Sequence, residues 1–223
     1  MKYLTGASNQ AAREAARRLG IGLMVQPGNR LRSQIRHYPF YAADSGCFNP
    51  KTYPGHRKWL LWVRKLPPEG CLFATCPDVA RRPDGTLGGD PEATWRHFVV
   101  MAPMVRHAGL PVALVAQDGM EAMANVDEQL AACDVLFLGG STEWKCSPAG
   151  GLLVARWARE AGKATHAGRV NSKRRYQLMS AALIDSADGN MLAHGGDRNV
   201  RFLYRWFTAG AQLSLFGEDG PAA

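Results

Sequence analysis

Short apolar runs recur along the chain and alternate with segments of helical periodicity. Eight of these runs read as strands, at 2–5, 21–25, 39–43, 71–75, 111–116, 134–139, 163–168 and 181–184. Helical patterns that start at a capping residue or end at a glycine lie at 8–20, 90–109, 147–162 and 197–210. Strands that are apolar on both faces and alternate with helices are typical of a parallel sheet. The pattern therefore predicts a closed (β/α)8 barrel of the TIM type.

The chain reads as one domain over residues 1–215, followed by a flexible C-terminal tail at 216–223. The segment 26–38 has no clear helical pattern, so we expect one degenerate unit in a compact barrel. A doubly wound open sheet is the alternative. No G-x-G-x-x-G follows the first strand and no Walker loop is present, which counts against a nucleotide cofactor. We expect no cofactor.

Positive charge is spread over several parts of the chain. Lys and Arg number 27 against 19 Asp and Glu, which gives a formal net charge of +8 and a sequence pI near 9.5. Basic clusters occur at 30–37, 56–65, 80–82, 172–175 and 198–205. One cluster alone would read as a solvated helix face. Five clusters favour a polyanionic partner, and nucleic acid is the partner we expect.

The cysteines and the apolar runs bear on the compartment. Five cysteines in a chain that begins without a signal-peptide pattern predict reduced thiols. No two of them have the C-x-x-C spacing of a zinc site, so no metal is expected. No apolar run approaches the roughly 20 residues needed to cross a bilayer. These features predict a cytoplasmic protein without a membrane association.

Polar residues follow six of the predicted strands, where a barrel places its chemistry. They are Asp44-Ser45-Gly46, Cys76-Pro77-Asp78, Gln117-Asp118-Gly119, Gly139-Gly140 with Glu143, His166 with Arg169, and Asp185-Ser186. Each could be a helix cap, and for Asp118 or Ser186 a cap is the favoured reading. The six sets together predict one shared active site.

This mixture of side chains suits a guanine-type base. Such a base presents an amidine edge with N–H donors for a carboxylate, and a carbonyl that accepts from an amide. Two further carboxylates suit glycosidic chemistry, in which one attacks the anomeric carbon and the other handles the proton of the leaving group.

Several motifs then carry a family resemblance. The segments that carry it are "ADSGCF" (43–48), "CPD" (76–78), "ALVAQDG" (113–119), "FLGGSTEW" (137–144) and "IDSADG" (184–189). In this order they resemble the signatures of tRNA-guanine transglycosylases. "GGSTEWK" (139–145), "HAGRVNS" (166–172) and "DRN" (197–199) resemble the small phage and bacterial branch of that superfamily, which modifies DNA with 7-deazaguanines.

The resemblance implies a base-exchange enzyme. Guanine in DNA would be flipped out and replaced by a free base such as 7-cyano-7-deazaguanine through a covalent aspartyl intermediate. It implies Asp185 as nucleophile and Asp44 as proton shuttle. The implied substrate-binding residues are Ser45, Asp78, Gln117, Gly139, Gly140, Glu143, His166 and Arg169. The residues implied to bind nucleic acid are Lys173, Arg174, Arg175 and Arg198, and Arg169 is implied to hold phosphates together with the 172–175 cluster.

The sequence departs from the tRNA enzymes and leaves alternatives open. No cysteine follows Cys146, so their zinc site is absent, and Cys47 replaces a glycine of the first signature. These departures favour a compact DNA enzyme. An enzyme acting on RNA, hydrolysis instead of exchange, and a non-catalytic protein that binds nucleic acid or a deazapurine stay open. His166 could be structural, Trp144 could belong to the core, and Asp78 could cap a loop.

Overall fold

Eight parallel strands close into a barrel in chain order, which confirms the predicted (β/α)8 fold. The computed structural model describes residues 1–28, 31–81, 84–86, 88–193 and 196–215. The strands are β1 (Lys2–Thr5), β2 (Gly22–Val25), β3 (Tyr41–Ala43), β4 (Cys71–Thr75), β5 (Val112–Ala116), β6 (Val135–Leu138), β7 (Ala164–Ala167) and β8 (Ser186–Gly189). The barrel closes where β1 pairs with β8, with Lys2 opposite Ser186 and Thr5 opposite Gly189.

Helices follow the strands around the outside of the barrel. They are α1 (Gln10–Leu19), α2 (His56–Val63), α3 (Pro91–His107), α4 (Val126–Ala132), α5 (Thr142–Lys145), α6 (Gly151–Glu160), α7 (Lys173–Ala181) and α8 (Gly196–Leu215). Between β2 and β3 the residues that the structure describes form a 3-10 helix, Leu31–His37, in place of an α-helix, so the degenerate unit is confirmed. Within the described ranges, no helix is long and apolar enough to cross a membrane. The predicted tail at 216–223 lies outside the described residues.

The helix boundaries follow from local chemistry. The Asn9 side chain accepts a hydrogen bond from the Ala12 backbone N–H at 2.8 Å and caps α1. Gly20 ends that helix with a φ of 64°, a left-handed conformation that glycine adopts without strain. Asp90 caps α3 in the same way, since its side chain accepts from Ala93 at 2.8 Å. These caps set the points at which the chain returns to the barrel.

The apolar side chains form two layers. Outward-facing strand residues such as Leu23, Leu114 and Leu136 pack beneath the helices in one continuous core. A smaller cluster fills the barrel interior and consists of Leu4, Met24, Ala42, Phe73, Ala113 and Val135. Alternate residues of each strand point to opposite faces, which accounts for both layers. The interior is therefore packed, and a ligand can enter only at an end of the barrel.

The last strand lies five residues beyond its predicted position. The apolar run 181–184, predicted as a strand, contains the end of α7 at Ala181 and a turn in which Leu183 has a φ of 58°. The observed strand β8 has the sequence Ser-Ala-Asp-Gly. Asp185 therefore precedes the strand instead of following it, and this prediction is wrong.

Candidate functional site

The loops at the carboxyl ends of the strands enclose a cavity of about 300 Å³, which we call the mouth cavity. Its polar lining includes Asp44, Asp78, Gln117, Arg169 and Asp188. A larger, open groove of about 720 Å³ lies between α4 and α6 on the outside of the barrel. That groove is lined by no buried polar side chain. The mouth cavity is the place where the fold concentrates polar groups, and it is the candidate site.

Asp44 lies directly after β3, where its backbone N–H donates to Val25 at 2.8 Å. Burial, together with the nearby Asp78 and Asp188 carboxylates, raises the pKa of Asp44 to about 7. A carboxyl group with this pKa exchanges its proton near neutral pH, as a general acid or base must. The sequence placed Asp44 at this mouth, and its assigned proton transfer stays a prediction.

Two side chains hold the carboxylate of Asp78. The Gln117 amide nitrogen donates to one oxygen at 2.6 Å, and the Cys47 thiol donates to the other at 2.8 Å. Burial raises the pKa of Asp78, and these hydrogen bonds oppose that increase. The Asp78 side chain therefore belongs to a network inside the mouth cavity. Gln117 positions this carboxylate, and its contact with a ligand carbonyl stays a prediction.

The glycines after β6 also serve the scaffold. The N–H groups of Gly139 and Gly140 both donate to the Ala116 carbonyl, at 3.0 and 3.1 Å. These amides are therefore occupied, which is a correction to their expected role as donors to a base. A side chain at Gly140 would meet the Asp118 carboxylate at 2.3 Å. Glycine is thus required here by close packing.

Asp188 is a site residue that the sequence reasoning missed. Its side chain lines the mouth cavity and is 17% exposed. His166, fully buried inside the barrel, lies 3.0 Å from it through Nε2, and the other ring nitrogen lies 2.9 Å from the Ser186 hydroxyl. Burial lowers the pKa of His166, which favours the neutral ring. A neutral ring donates from Nε2 to Asp188 and accepts from Ser186, so His166 orients Asp188.

The predicted nucleophile, Asp185, lies at the other end of the barrel. Its carboxylate accepts from the Thr165 backbone N–H at 2.8 Å and from the Thr165 hydroxyl at 2.9 Å. Asp134 makes the same contact one strand pair away, since it accepts from the Val112 N–H at 2.8 Å. Both carboxylates thus satisfy N–H groups where strands begin. Asp185 and Asp78 open onto different ends, so the shared site predicted for them is wrong.

Arg169 is the cation of the mouth cavity. Its backbone has a φ of 60°, which is uncommon for a residue with a side chain. Its Nη2 group donates to the Gly139 carbonyl at 2.7 Å and to the Gly140 carbonyl at 2.5 Å. The guanidinium carbon lies 5.1 Å from the centre of the Phe48 ring. Several contacts thus fix a strained residue, which is a feature of functional sites.

A second cation lies behind the cavity wall and was not predicted. Lys145, fully buried at the end of α5, donates from its ammonium group to the Gly168 carbonyl. Burial, and then Arg169, lower the pKa of Lys145 to about 8. The mouth therefore has an acidic side after β3 and β4, a basic side after β6 and β7, and a further carboxylate, Asp188, on β8 next to β7.

Other predicted residues lie around the site without lining it. Ser45 is buried, and its backbone N–H donates to Thr75 at 2.8 Å, so it is part of the loop framework. Glu143 is exposed in the first turn of α5. Trp144 is 9% exposed and donates to Glu121 at 2.7 Å, which agrees with the core alternative.

The predicted phosphate-binding residues lie at the starts of two helices on the mouth side. Lys173 and Arg174 are exposed in the first turn of α7, and Arg198 is exposed near the start of α8. Arg175 instead donates to the Arg169 carbonyl at 2.9 Å and supports that residue. Over the described parts of the chain, no cluster of three His, Cys, Asp or Glu side chains could hold a metal ion.

The fold has known counterparts among solved structures. A mutant of mandelate oxidase with a C4a-OH-FMN adduct has a TM-score of 0.58 at 16% identity, and covers 93% of this chain and 69% of its own. Mandelate oxidase with benzoyl-formic acid has a TM-score of 0.59 at 15% identity, with 95% and 73% covered. No protein-family model matches the chain, and no curated protein matches it. At these identities the comparisons show the fold alone.

These comparisons overturn the predicted relationship. Similar structures over nearly the whole chain are mandelate oxidases, and no transglycosylase model matches. The expected membership of the tRNA-guanine transglycosylase superfamily is therefore wrong, and so are the glycosyltransferase class and the base-exchange activity that rested on it. The position of Asp185 gives a physical reason, because the assigned nucleophile lies outside the mouth.

The carboxylates of the mouth cavity do not suit the flavin ring of the FMN present in some of these structures. The pyrimidine edge of FMN presents two carbonyl oxygens that need hydrogen-bond donors. The carboxylates of Asp44, Asp78 and Asp188 are acceptors when ionised and cannot donate to these oxygens. This part of the lining thus disagrees with the pyrimidine edge of a flavin.

Proposed function

We propose that the mouth cavity binds a small planar heterocycle with two adjacent N–H donors, and that Asp44 exchanges a proton with it. The amidine edge of a guanine-type base, formed by its 2-amino group and the adjacent ring N–H, is the model for this ligand. The observation that carries the proposal is the carboxylate of Asp78, held by Gln117 and Cys47 at the wall of the cavity. A carboxylate fixed at both oxygens can accept two parallel N–H groups with little loss of entropy.

The charges of the cavity support a donor-rich ligand. Three carboxyl groups line a cavity of about 300 Å³, and their mutual repulsion contributes to the raised pKa of Asp44. Two N–H donors at this wall would relieve the repulsion, whereas an acceptor edge would increase it. Adenine lacks the paired donors and should bind poorly.

The acid–base character of Asp44 supports catalysis in addition to binding. A group whose pKa is about 7 carries its proton about half of the time at neutral pH. Asp188, oriented by His166, provides a second carboxylate beside the same cavity. The reaction class we propose is proton transfer on the bound heterocycle.

The expected partners are part of this proposal. A free 7-deazaguanine has the required edge, and the exposed Lys173, Arg174 and Arg198 offer positive charge to a polyanion such as DNA at the rim. We also place the protein in the cytoplasm, because its five cysteines are free thiols, as expected in a reducing compartment.

Isothermal titration calorimetry tests the proposal directly. 7-Cyano-7-deazaguanine should bind, and adenine should bind at least about tenfold more weakly, since one lost charged hydrogen bond costs about 1–3 kcal/mol. Asp78→Asn should weaken the deazaguanine at least as much, whereas Asp127→Asn, on the exposed face of α4, should not. Equal binding of the two bases, or an unaffected Asp78 variant, would contradict the proposal. Tight binding of FMN, measured by the change in FMN fluorescence, would also contradict the proposal.

A further inference from the structure

The Arg169 guanidinium has unused donors in the mouth cavity. Its Nη2 group is occupied by the carbonyls of Gly139 and Gly140. Its Nε and Nη1 groups make no hydrogen bond with any residue that the structure describes, and no carboxylate there forms an ion pair with it. A guanidinium carries five N–H donors, so the Nε–H group and the two Nη1–H groups are available to a ligand as separate donors.

The scaffold fixes this guanidinium in place before any ligand arrives. The Arg175 side chain holds the Arg169 carbonyl at 2.9 Å, and the Phe48 ring packs against the guanidinium. The left-handed backbone of Arg169 is unfavourable for a residue with a side chain, and these contacts maintain it. The cost of ordering a long side chain is therefore met in the free protein, which favours a binding function.

Arg169 lies in a position that suits the binding of an anion. It follows β7, and the loops after the seventh and eighth strands are the place where barrels of this fold commonly hold phosphate groups. The ammonium group of Lys145 lies behind the same loop, on the Gly168 carbonyl, and adds positive potential. Asp44 and Asp78 lie on the acidic side of the mouth.

We propose that Arg169 is the recognition residue for an acidic group of the ligand, so that the heterocycle bound in the mouth is bipolar. Its N–H edge faces Asp78, and an anionic substituent, carboxylate or phosphate, accepts from the free Nη1–H groups of Arg169. This inference rests on the proposed function, since it names the second half of the same ligand. The shared chemistry is an oxyanion that accepts charge-assisted hydrogen bonds from a guanidinium.

Matched pairs of probes test it by calorimetry. Pterin and pterin-6-carboxylate share the 2-amino-4-oxo edge and differ by one carboxylate, and guanosine and guanosine 5′-monophosphate differ by one phosphate. The acidic member of at least one pair should bind the wild-type protein at least tenfold more tightly. A gain with pterin-6-carboxylate alone identifies a substituent on the ring, and a gain with the nucleotide alone identifies a phosphate.

Variants assign this gain to Arg169. Arg169→Gln should remove it, while Arg169→Lys, which keeps the charge without the fork, should retain part of it. Arg81→Gln is the matched control, because Arg81 also lies over Phe48, at 5.3 Å, but is absent from the cavity lining. The control should keep the full gain.

The outcomes separate the two proposals. Equal binding within both pairs by the wild-type protein, or a gain that persists in Arg169→Gln, overturns the role of Arg169 and leaves the donor-edge proposal intact. Failure of all four probes to bind overturns both. Because Arg169 also connects the loops after β6 and β7, each variant is checked by thermal unfolding. If Arg169→Gln does not fold, the wild-type pairs and Arg169→Lys decide.

Discussion

His166 and Asp188 lie 3.0 Å apart on neighbouring strands and connect the interior of the barrel to the mouth cavity. The imidazole packs between two rings, with centroid distances of 4.8 Å to Phe73 and 4.6 Å to Phe137. Its other nitrogen lies 2.9 Å from the Ser186 hydroxyl. A polar chain of three side chains therefore crosses an otherwise apolar interior, and both ends depend on His166.

Replacement of this histidine should cost stability. His166→Phe keeps an aromatic ring but removes both nitrogens, so Ser186 keeps only its long contact with the Thr165 carbonyl, at 3.4 Å, and Asp188 loses the donor that orients it. One unsatisfied buried group costs about 1–3 kcal/mol, and urea unfolding should show a loss of about 2–3 kcal/mol. His107→Phe, at the exposed end of α3, is the control and should change little. An unchanged unfolding free energy would show that the hydrogen bonds of His166 do not stabilise the fold.

Asp44 should lower stability at neutral pH. Its folded pKa of about 7 lies above the ordinary aspartate pKa of 3.8, so between these values the folded state holds more protons than the unfolded state. Stability therefore falls as pH rises from about 4 to 7, and the loss is complete above 7. Asp44→Asn removes this loss and should stabilise the protein at pH 8 by about 4 kcal/mol at most, from 1.36 kcal/mol per pKa unit.

Denaturant unfolding between pH 4 and pH 8 measures the effect. The advantage of Asp44→Asn should be near zero at pH 4 and should grow until about pH 7. Asp127→Asn, which changes an exposed carboxylate on α4, should give a difference that stays flat with pH. A variant less stable than the wild type at pH 8 would contradict the repulsion we assign to the mouth.

The fold could be predicted because its signal lies in apolar runs. Strands such as β5, in which every residue is buried, must be apolar on both faces when they lie between the interior and the helices. The polar residues after β3 and β4, including Asp44 and Asp78, were found by the same logic, because they follow strands that the pattern located correctly.

The last strand could not be predicted from hydrophobicity. Its inward positions are Ser186 and Asp188, which bond to His166 in place of packing against apolar neighbours. Its sequence, Ser-Ala-Asp-Gly, has no β-branched or aromatic residue and resembles a turn. The apolar run 181–184 was predicted as the strand instead. Asp185 was therefore assigned to the wrong end of the barrel, and Asp188 was missed. The signal available in the sequence was the histidine of β7, because a buried histidine requires a polar neighbour on the adjacent strand, β8.

The two aspartates around β8 should separate stability from binding. Asp185→Ala removes the acceptor of two Thr165 donors and should cost about 1–2 kcal/mol in urea unfolding, with the affinity for 7-cyano-7-deazaguanine unchanged. Asp188→Asn should weaken the base, because Asp188 lines the cavity. Asp134→Ala, which removes the equivalent contact to Val112 and an exposed ion pair with Arg106, should also lower stability and leave the affinity for the base unchanged. Loss of base binding in the Asp185 variant would place that residue in the site after all.

The rim of the mouth should make DNA binding depend on salt. Lys173 and Arg174 are exposed at the start of α7, on the mouth side, so a duplex that covers the cavity would meet them first. Each phosphate they neutralise contributes about 0.9 to the slope of log affinity against log salt concentration. The double variant Lys173→Ala, Arg174→Ala should therefore weaken duplex binding and lower the slope by about 2, as measured by fluorescence anisotropy between low and physiological salt. Its affinity for the free base should not change, because neither residue lines the cavity.

Arg17→Ala with Arg18→Ala is the control, because it removes the same charge from the last turn of α1, at the opposite end of the barrel. If this control lowers the slope equally, the positive charge of the whole protein attracts DNA, and DNA does not bind preferentially at the mouth. If neither variant changes the slope, the polyanion proposal fails.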